Sequence, residues 1–294
     1  MSLASYKETS FVYFLRDIKI SHSIFALPFV FSTLVFLDFK WELSKLIHIV
    51  LCMICARSFA MGMNRFLDYN HDALNPRTKS RMIPSGKLAA HKGLLWSLSF
   101  GVGFIWQSFQ LNFLAGLLSP LVLLILGFYP KMKTLSWGTH WYLGFCLGMS
   151  PMGADVALRG KIHLETLFLA LAITAWTAGF DILYALQDYF FDKNIGIKSV
   201  PTRFGVKTSL NISRFCFLIM VVFLFCIGLI KGKSVIYFVG VFFISLILII
   251  EQWLVKDSDE EAISKNINLA FFNLNACVGL FYLTFTILDH YFKL

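Results

Sequence analysis

Apolar residues in this chain gather into long unbroken runs separated by short polar clusters. The runs fall near 23–38, 43–63, 92–108, 112–129, 139–158, 164–187, 209–230, 234–254 and 267–288. A helix needs about 20 predominantly apolar residues to cross a bilayer, so each run reads as one span. The pattern predicts an all-α, polytopic membrane protein of about nine transmembrane helices, with residues 1–294 forming a single integral-membrane domain. Pro28, Pro120 and Pro151 lie within or beside runs, which membrane helices tolerate because neighbours satisfy the freed carbonyls.

Composition strengthens this reading. Of 294 residues, 57% are apolar and only 15% charged, with a mean hydropathy of +0.71. A soluble domain carries about 25% charged residues, so an ordinary soluble enzyme is excluded. Cys52, Cys55, Cys146, Cys216, Cys226 and Cys277 all sit inside apolar runs and read as small core hydrophobes. Cys52 and Cys55 form a CxxC, but no second Cys/His pair stands at ligand spacing. The first 20 residues lack an apolar stretch with a small-residue cleavage site, so no signal peptide is expected.

The net charge is +9, and its distribution matters more than its size. With the N-terminus inside and nine spans, 18 Lys and Arg fall in inside segments and 7 in outside ones, Arg57 alone lying within a span. Basic residues collect in cytoplasmic loops, so the asymmetry predicts a multi-pass protein of the inner (cytoplasmic) membrane with a cytoplasmic N-terminus. It also accounts for the positive charge without nucleic acid, and no loop carries the aromatic-interleaved basic stripe that single strands need. The implied partner is the lipid bilayer; no obligatory protein partner is inferred.

Two inside loops differ from the rest. Asn64, Asp68 and Asp72 open the stretch NRFLDYNHDALNPRTKSRMIPSGKLAAH, and Asp188 and Asp192 open DYFFDKNIGIKSVPTRFGVKT. Asn64, Asp68 and Asp72 stand at i, i+4, i+8, so a continuing helix puts them on one face. Asp181, Tyr184, Asp188 and Asp192 repeat the arrangement, with Asp181 predicted two turns below Asp188 inside the apolar run. An ionisable residue at membrane depth is a functional-site candidate. Carboxylates and an Asn amide are hard oxygen ligands suited to Mg²⁺, which fills its remaining positions with substrate phosphates. Basic residues follow each acidic pair: Arg77, Lys79 and Arg81 after the first, Lys193 and Lys198 after the second. Acids for a metal beside bases for phosphate oxygens make a Mg²⁺-diphosphate site. The alternative for the acids is an interfacial salt-bridge lattice, which would not call for Asp181 inside the membrane. Arg57 and His22 read as a snorkelling side chain and a polar contact at a span entrance.

The two stretches resemble the signature regions of the UbiA family of intramembrane aromatic prenyltransferases. The first motif, Asn-x-x-x-Asp-x-x-x-Asp, matches at Asn64, Asp68 and Asp72, with a trailing match at Arg77, Arg81, Pro84, Ser85 and Gly86. The second matches at Asp181, Tyr184, Ala185, Asp188 and Asp192. KISHSIFALPF and YPKMK also read as family segments, so the resemblance spans most of the chain.

The resemblance implies a nine-helix UbiA-type bundle with a central cavity, polyprenyl diphosphate as donor and a hydroxyaromatic acid, of the 4-hydroxybenzoate or hydroxynaphthoate type, as acceptor. The closest wording is that of a branch tied to menaquinone synthesis by the futalosine route. Two departures bear on the acceptor: Arg65 replaces an acid found in ubiquinone enzymes, and Thr134 follows Lys133 where many members have a second base. On this reading Asn64, Asp68, Asp72, Asp188 and Asp192 hold Mg²⁺. Arg77, Arg81, Lys133 and Lys198 meet the diphosphate, and Asp181 and Tyr184 are catalytic. Ubiquinone or menaquinone biosynthesis is the expected setting. The alternatives are a secondary transporter with intramembrane carboxylates, or a family member outside quinone synthesis. Transporters usually place such acids on broken helices at mid-membrane, whereas most of these lie at helix ends. A head-group transferase would carry an Asp-Gly-x-x-Ala-Arg signature, absent here.

Overall fold

The computed structural model describes residues 9–20, 27–39, 42–256 and 274–292. His22 and the start of the 267–288 run lie outside these residues. Among the described residues every regular element is helical. In chain order they are α1 (Ser10–Asp17), α2 (Leu27–Phe36), α3 (Leu43–Leu74), α4 (Ala90–Leu111), α5 (Phe113–Leu135), α6 (Thr139–Arg159), α7 (Leu164–Ala185), α8 (Tyr189–Ile195), α9 (Val200–Ile230), α10 (Val235–Lys256) and α11 (Asn275–Tyr291).

Each predicted apolar run falls on one of these helices. Among the described residues, five segments are long and apolar enough to cross a membrane by length and composition alone: Leu43–Leu74, Phe113–Leu135, Leu164–Ile195, Val200–Ile230 and Val235–Val255. The helices divide between two compact units, Met1–Ser23 with Ser44–Pro130, and Ile24–Leu43 with Lys131–Leu294.

In the first unit, Thr9 caps the amphipathic α1 by accepting from the Val12 N–H at 3.4 Å. The apolar face of α1 meets α4, with Phe11 against Trp96 at 4.7 Å and Phe14 against Phe100 at 5.8 Å between ring centroids. Phe14 and Ile18 form a small core with Ile83 and Leu88. The Ser97 hydroxyl on α4 donates to the Phe59 carbonyl of α3 at 2.9 Å. The boundary between the third and fourth runs is sharp because the Asn112 side chain accepts from the Ala115 N–H at 2.8 Å, ending α4 and starting α5.

The second unit is built around α7, where 13 of 22 residues are buried. A helix apolar on all sides belongs in the interior, and Leu169, Trp176 and Phe180 sit in one cluster with Phe29, Leu224, Tyr237 and Tyr282. Glycines let α6 lie directly on α7. A Cβ on Gly144 would come within 2.2 Å of the Thr174 carbonyl oxygen, and one on Gly148 within 2.6 Å of the Ala170 oxygen. Ion pairs tie the helix ends distant from Asp181: Lys231 to Glu165 at 3.2 Å and Lys233 to the buried Asp289 at 3.0 Å.

The second acidic stretch departs from the expected continuous helix, and the loop read at 188–208 is itself partly helical. Helix α7 ends at Ala185, and a 3₁₀ turn, Leu186–Asp188, precedes α8. Asp181 and Asp188 therefore do not share one unbroken α-helical face, because the tighter turn advances the register differently. Helix α9 starts from a capping box of Ser199 and Thr202 but breaks at Gly205, whose φ of 77° and ψ of 171° are non-helical. The predicted run at 209–230 is the straight part after that break.

Candidate diphosphate and acceptor site

The first acidic stretch behaves as its spacing predicts. Helix α3 continues to Leu74, so Asn64, Asp68 and Asp72 share a face. Asn64 is buried, its Oδ1 3.5 Å from Arg65 Nη1. Asp72 receives Arg81 Nη1 on Oδ2 at 2.6 Å, an ion pair in which both side chains are largely sheltered.

The chain after α3 is a compact series of turns. The Asn75 side chain accepts from the Arg77 N–H at 2.9 Å, and the Thr78 hydroxyl donates to the Asp72 carbonyl at 3.0 Å. Gly86 closes the turns at a φ of 75°, which explains glycine after Pro84 and Ser85. The assembly is pinned to α1 by the Met82 N–H, which donates to Asp17 Oδ1 at 2.8 Å. Arg65 Nε donates to the Asp17 carbonyl at 3.1 Å. Burial raises the Asp17 carboxyl above its ordinary 3.8, against the Met82 N–H, Arg65 and Arg81, which pull it down. Lys19 is lowered from 10.5, first by burial and then by Arg65, Arg81 and Arg77. Lys19 thus lies within electrostatic reach of Arg65, Arg77 and Arg81, and Arg65 within that of Asp68 and Asp72, a cationic neighbourhood suited to anionic oxygens. Arg57, expected to snorkel, instead donates from Nη1 to the Ile18 carbonyl at 3.3 Å.

In the second unit the main chain joins two predicted cations. The Lys198 N–H donates to the Lys133 carbonyl at 2.8 Å, while Lys198 Nζ lies 3.4 Å from the Leu135 carbonyl oxygen at the end of α5. A cation there also complements the helix C-terminus. Asp188 and Asp192 lie at the start and within α8, both half-buried, and Gly196 at a φ of 78° ends that helix. Tyr184 is half-buried two residues before the 3₁₀ segment.

Asp181 has a partner that sequence reasoning missed. His140 Nδ1 on α6 lies 2.7 Å from Asp181 Oδ2, and the Val200 N–H donates to His140 Nε2 at 3.2 Å. Asp17 was likewise missed as the anchor of the basic turns, and Lys19 and Arg65 as members of the cationic group. The signal for His140 was a histidine inside an apolar helix, but its partner lies 41 positions away.

The donor set fits a divalent cation: carboxylates paired at i, i+4, an Asn amide and cations for phosphate oxygens. Among the described residues no three His, Cys, Asp or Glu side chains converge into a complete metal cage. Mg²⁺ takes few protein ligands and completes its octahedron with phosphate and water, so a pair of carboxylates is chemically compatible with it.

Among the described residues, helices long and apolar enough to cross a membrane, with acidic pairs and cations near their ends, place the chain in the class of membrane-embedded enzymes. Residues 25–275 match the model of the UbiA prenyltransferase family. A 4-hydroxybenzoate octaprenyltransferase of Tolumonas auensis is 30% identical over 219 residues, 74% of this chain and 75% of that protein. Another, of Aliivibrio fischeri, is 28% identical over 240 residues, 81% of each. Among solved structures, a UbiA homologue from Aeropyrum pernix superposes with a TM-score of 0.81 at 28% identity, covering 92% of this chain and 98% of that one. A UbiA homologue from Archaeoglobus fulgidus bound to GPP and Mg²⁺ shares the fold, with a TM-score of 0.67 at 16% identity over 92% of this chain and 99% of its own. The chain belongs to the UbiA prenyltransferase family. It is a membrane-embedded prenyltransferase.

Proposed function

We propose that the protein transfers a polyprenyl group from polyprenyl diphosphate to a ring carbon of a hydroxyaromatic acid, with Mg²⁺, in ubiquinone or menaquinone biosynthesis. The carrying observation is the i, i+4 acidic pair of α3 with Arg81 on Asp72 and three further cations around it. The names of the Tolumonas and Aliivibrio relatives support the acceptor class. We read both units as parts of one integral-membrane domain, because the family match runs from 25 to 275 through both. The nine apolar helices are read as nine crossings of the inner membrane, with the N-terminus cytoplasmic.

In this reading Asp68 and Asp72, supported by Asn64, hold one Mg²⁺, and Asp188 and Asp192 hold another. The bound metal supplies Lewis-acid neutralisation of the diphosphate. Arg77, Arg81, Lys133 and Lys198 take up the charge that develops as the allylic C–O bond breaks, and stabilising such charge is the largest catalytic contribution of many enzymes. Asp181 accepts the proton of the acceptor hydroxyl, and Tyr184 orients the ring. The aromatic ring carbon then bonds to the allylic carbon as diphosphate leaves, its hydrogen passing as a proton to the released diphosphate, and the proton held by Asp181 returns to the product oxygen. Apolar walls exclude water that would otherwise capture the cation.

Purified protein incubated with Mg²⁺, a long-chain polyprenyl diphosphate and a panel of hydroxybenzoates and hydroxynaphthoates tests this reading by product mass. A carboxylate-retaining C-prenylated product is expected. Consumption of the diphosphate only with a non-aromatic acceptor, such as a glyceryl phosphate, would move the protein outside quinone synthesis.

A further inference from the structure

We infer that His140 is a positioning residue that orients Asp181 through a single hydrogen-bonding tautomer. A main-chain N–H can only donate, so the Val200 N–H at 3.2 Å makes His140 Nε2 an acceptor without a hydrogen. The ring hydrogen of the neutral imidazole is then on Nδ1, where it is donated to Asp181 Oδ2 at 2.7 Å. His140 is 2% exposed, and both of its nitrogens are satisfied, as buried polar groups require.

Three helices fix this arrangement. His140 lies in the first turn of α6, Asp181 near the end of α7, and Val200 is the first residue of α9. The segment before Val200 is bound in turn, since the Lys198 N–H donates to the Lys133 carbonyl at 2.8 Å. His140 thus links the in-span carboxylate to the chain that follows Asp188 and Asp192.

The pair is not closed over like a purely structural one. Asp181 keeps 17% of its side chain exposed, against 3% for His140. Oδ1 makes no hydrogen bond among the described residues, so one oxygen is held and the other is presented. His140 cannot take the acceptor's proton at Nε2 without losing the Val200 bond. Its work is to fix which carboxylate oxygen is offered and in which direction. The inference rests on the proposed role of Asp181 toward the acceptor hydroxyl.

Two isosteric variants separate the two nitrogens. In His140→Asn the side-chain amide nitrogen stands near Nδ1 and can still donate to Asp181. In His140→Gln the amide reaches the Nε2 position and leaves Asp181 without its donor. Full-length protein in detergent would be assayed for kcat and for KM of each substrate, with binding of a non-ionisable thiolodiphosphate analogue confirming a folded donor site. His140→Asn is expected to retain most of kcat, and His140→Gln to lose about 10- to 100-fold of it with the KM of the prenyl diphosphate unchanged. In an Asp181→Asn background, His140→Gln should cost nothing further. Equal losses in the two variants, or losses that add to that of Asp181→Asn, would overturn the positioning role while the Asp181 assignment survives. Normal turnover by Asp181→Asn alone would instead overturn the Asp181 assignment, and the inference with it.

Discussion

Arg81 Nη1 lies 2.6 Å from Asp72 Oδ2, so the carboxylate assigned to a metal already has a cation on it. Asp72 is at the end of α3 and Arg81 nine positions on, in turns pinned through Met82 to Asp17. In the proposed function the guanidinium would neutralise the acid before metal and diphosphate bind, and would have phosphate oxygens to turn to afterwards. Arg81→Gln should therefore lower the Mg²⁺ concentration needed for half-maximal activity, because a competitor is gone. It should also reduce kcat by about tenfold or more, because charge stabilisation is lost. A Mg²⁺ titration of the variant checks both, and a higher Mg²⁺ requirement would contradict the competition.

Asp68→Asn and Asp188→Asn each remove one hard ligand with little change of size. A desolvated metal contact is worth several kcal/mol, so each is expected to slow turnover by about a hundredfold or more at unchanged thermal stability. Near-normal rates in either variant would dismiss that pair as a metal site.

Asp17 gives a pH signature. Its carboxyl is raised above 3.8 by burial, so the folded state holds the proton more tightly than the unfolded chain. That contribution to stability is complete below 3.8 and is lost as pH rises through the folded value. Asp17→Asn keeps an acceptor for the Met82 N–H and carries no charge. Its melting temperature relative to wild type should rise on going from acid to neutral pH. Asp17→Ala also orphans that N–H and should cost about 1 to 3 kcal/mol relative to Asp17→Asn at any pH. Parallel melting curves across pH for Asp17→Asn and wild type would refute the sign.

The proposed orientation is tested at Ser85, which is exposed in the basic turns. A cysteine there, on a background lacking the six native ones, should resist a membrane-impermeant thiol reagent in intact cells and react once the cytoplasmic side is opened. Labelling from outside would invert the topology.

How much of this could be read from the chain depended on sequence distance. The face formed by Asn64, Asp68 and Asp72 was legible because it repeats every four residues and α3 does not break. Asp188 and Asp192 kept that spacing, yet the 3₁₀ turn at Leu186–Asp188 was invisible because no Gly or Pro marks it. The break in α9 does carry a glycine, Gly205, but lies outside the apolar run. Asp17 with Met82, and His140 with Asp181, are separated by 65 and 41 positions, and such pairs exist only once helices pack. The apolar runs located the helices; among the described residues, length and composition single out five segments as long enough to cross a membrane.

Gly144 admits a sharper packing test than any side chain. Gly144→Ala would push a methyl group to 2.2 Å from the Thr174 carbonyl oxygen, whereas a Cβ on Gly153, also on α6, meets nothing within 4 Å. The first substitution should destabilise by about 1 to 3 kcal/mol and the second should be neutral or mildly stabilising. Equal melting temperatures for the two variants would count against direct contact of the helices.

That contact also bears on how such an enzyme can diversify. Where α6 meets α7 the spacing is set by main-chain atoms and holds as long as Gly144 and Gly148 are kept, and His140 stands one turn before Gly144. Residues elsewhere on the two helices can be exchanged, enlarging or narrowing the surroundings of the Asp181 carboxylate, while the distance at which it is held is inherited unchanged. On the proposed role of Asp181, the seam would separate changes in the surroundings of the carboxylate from changes in where it is held, for as long as the two glycines are kept.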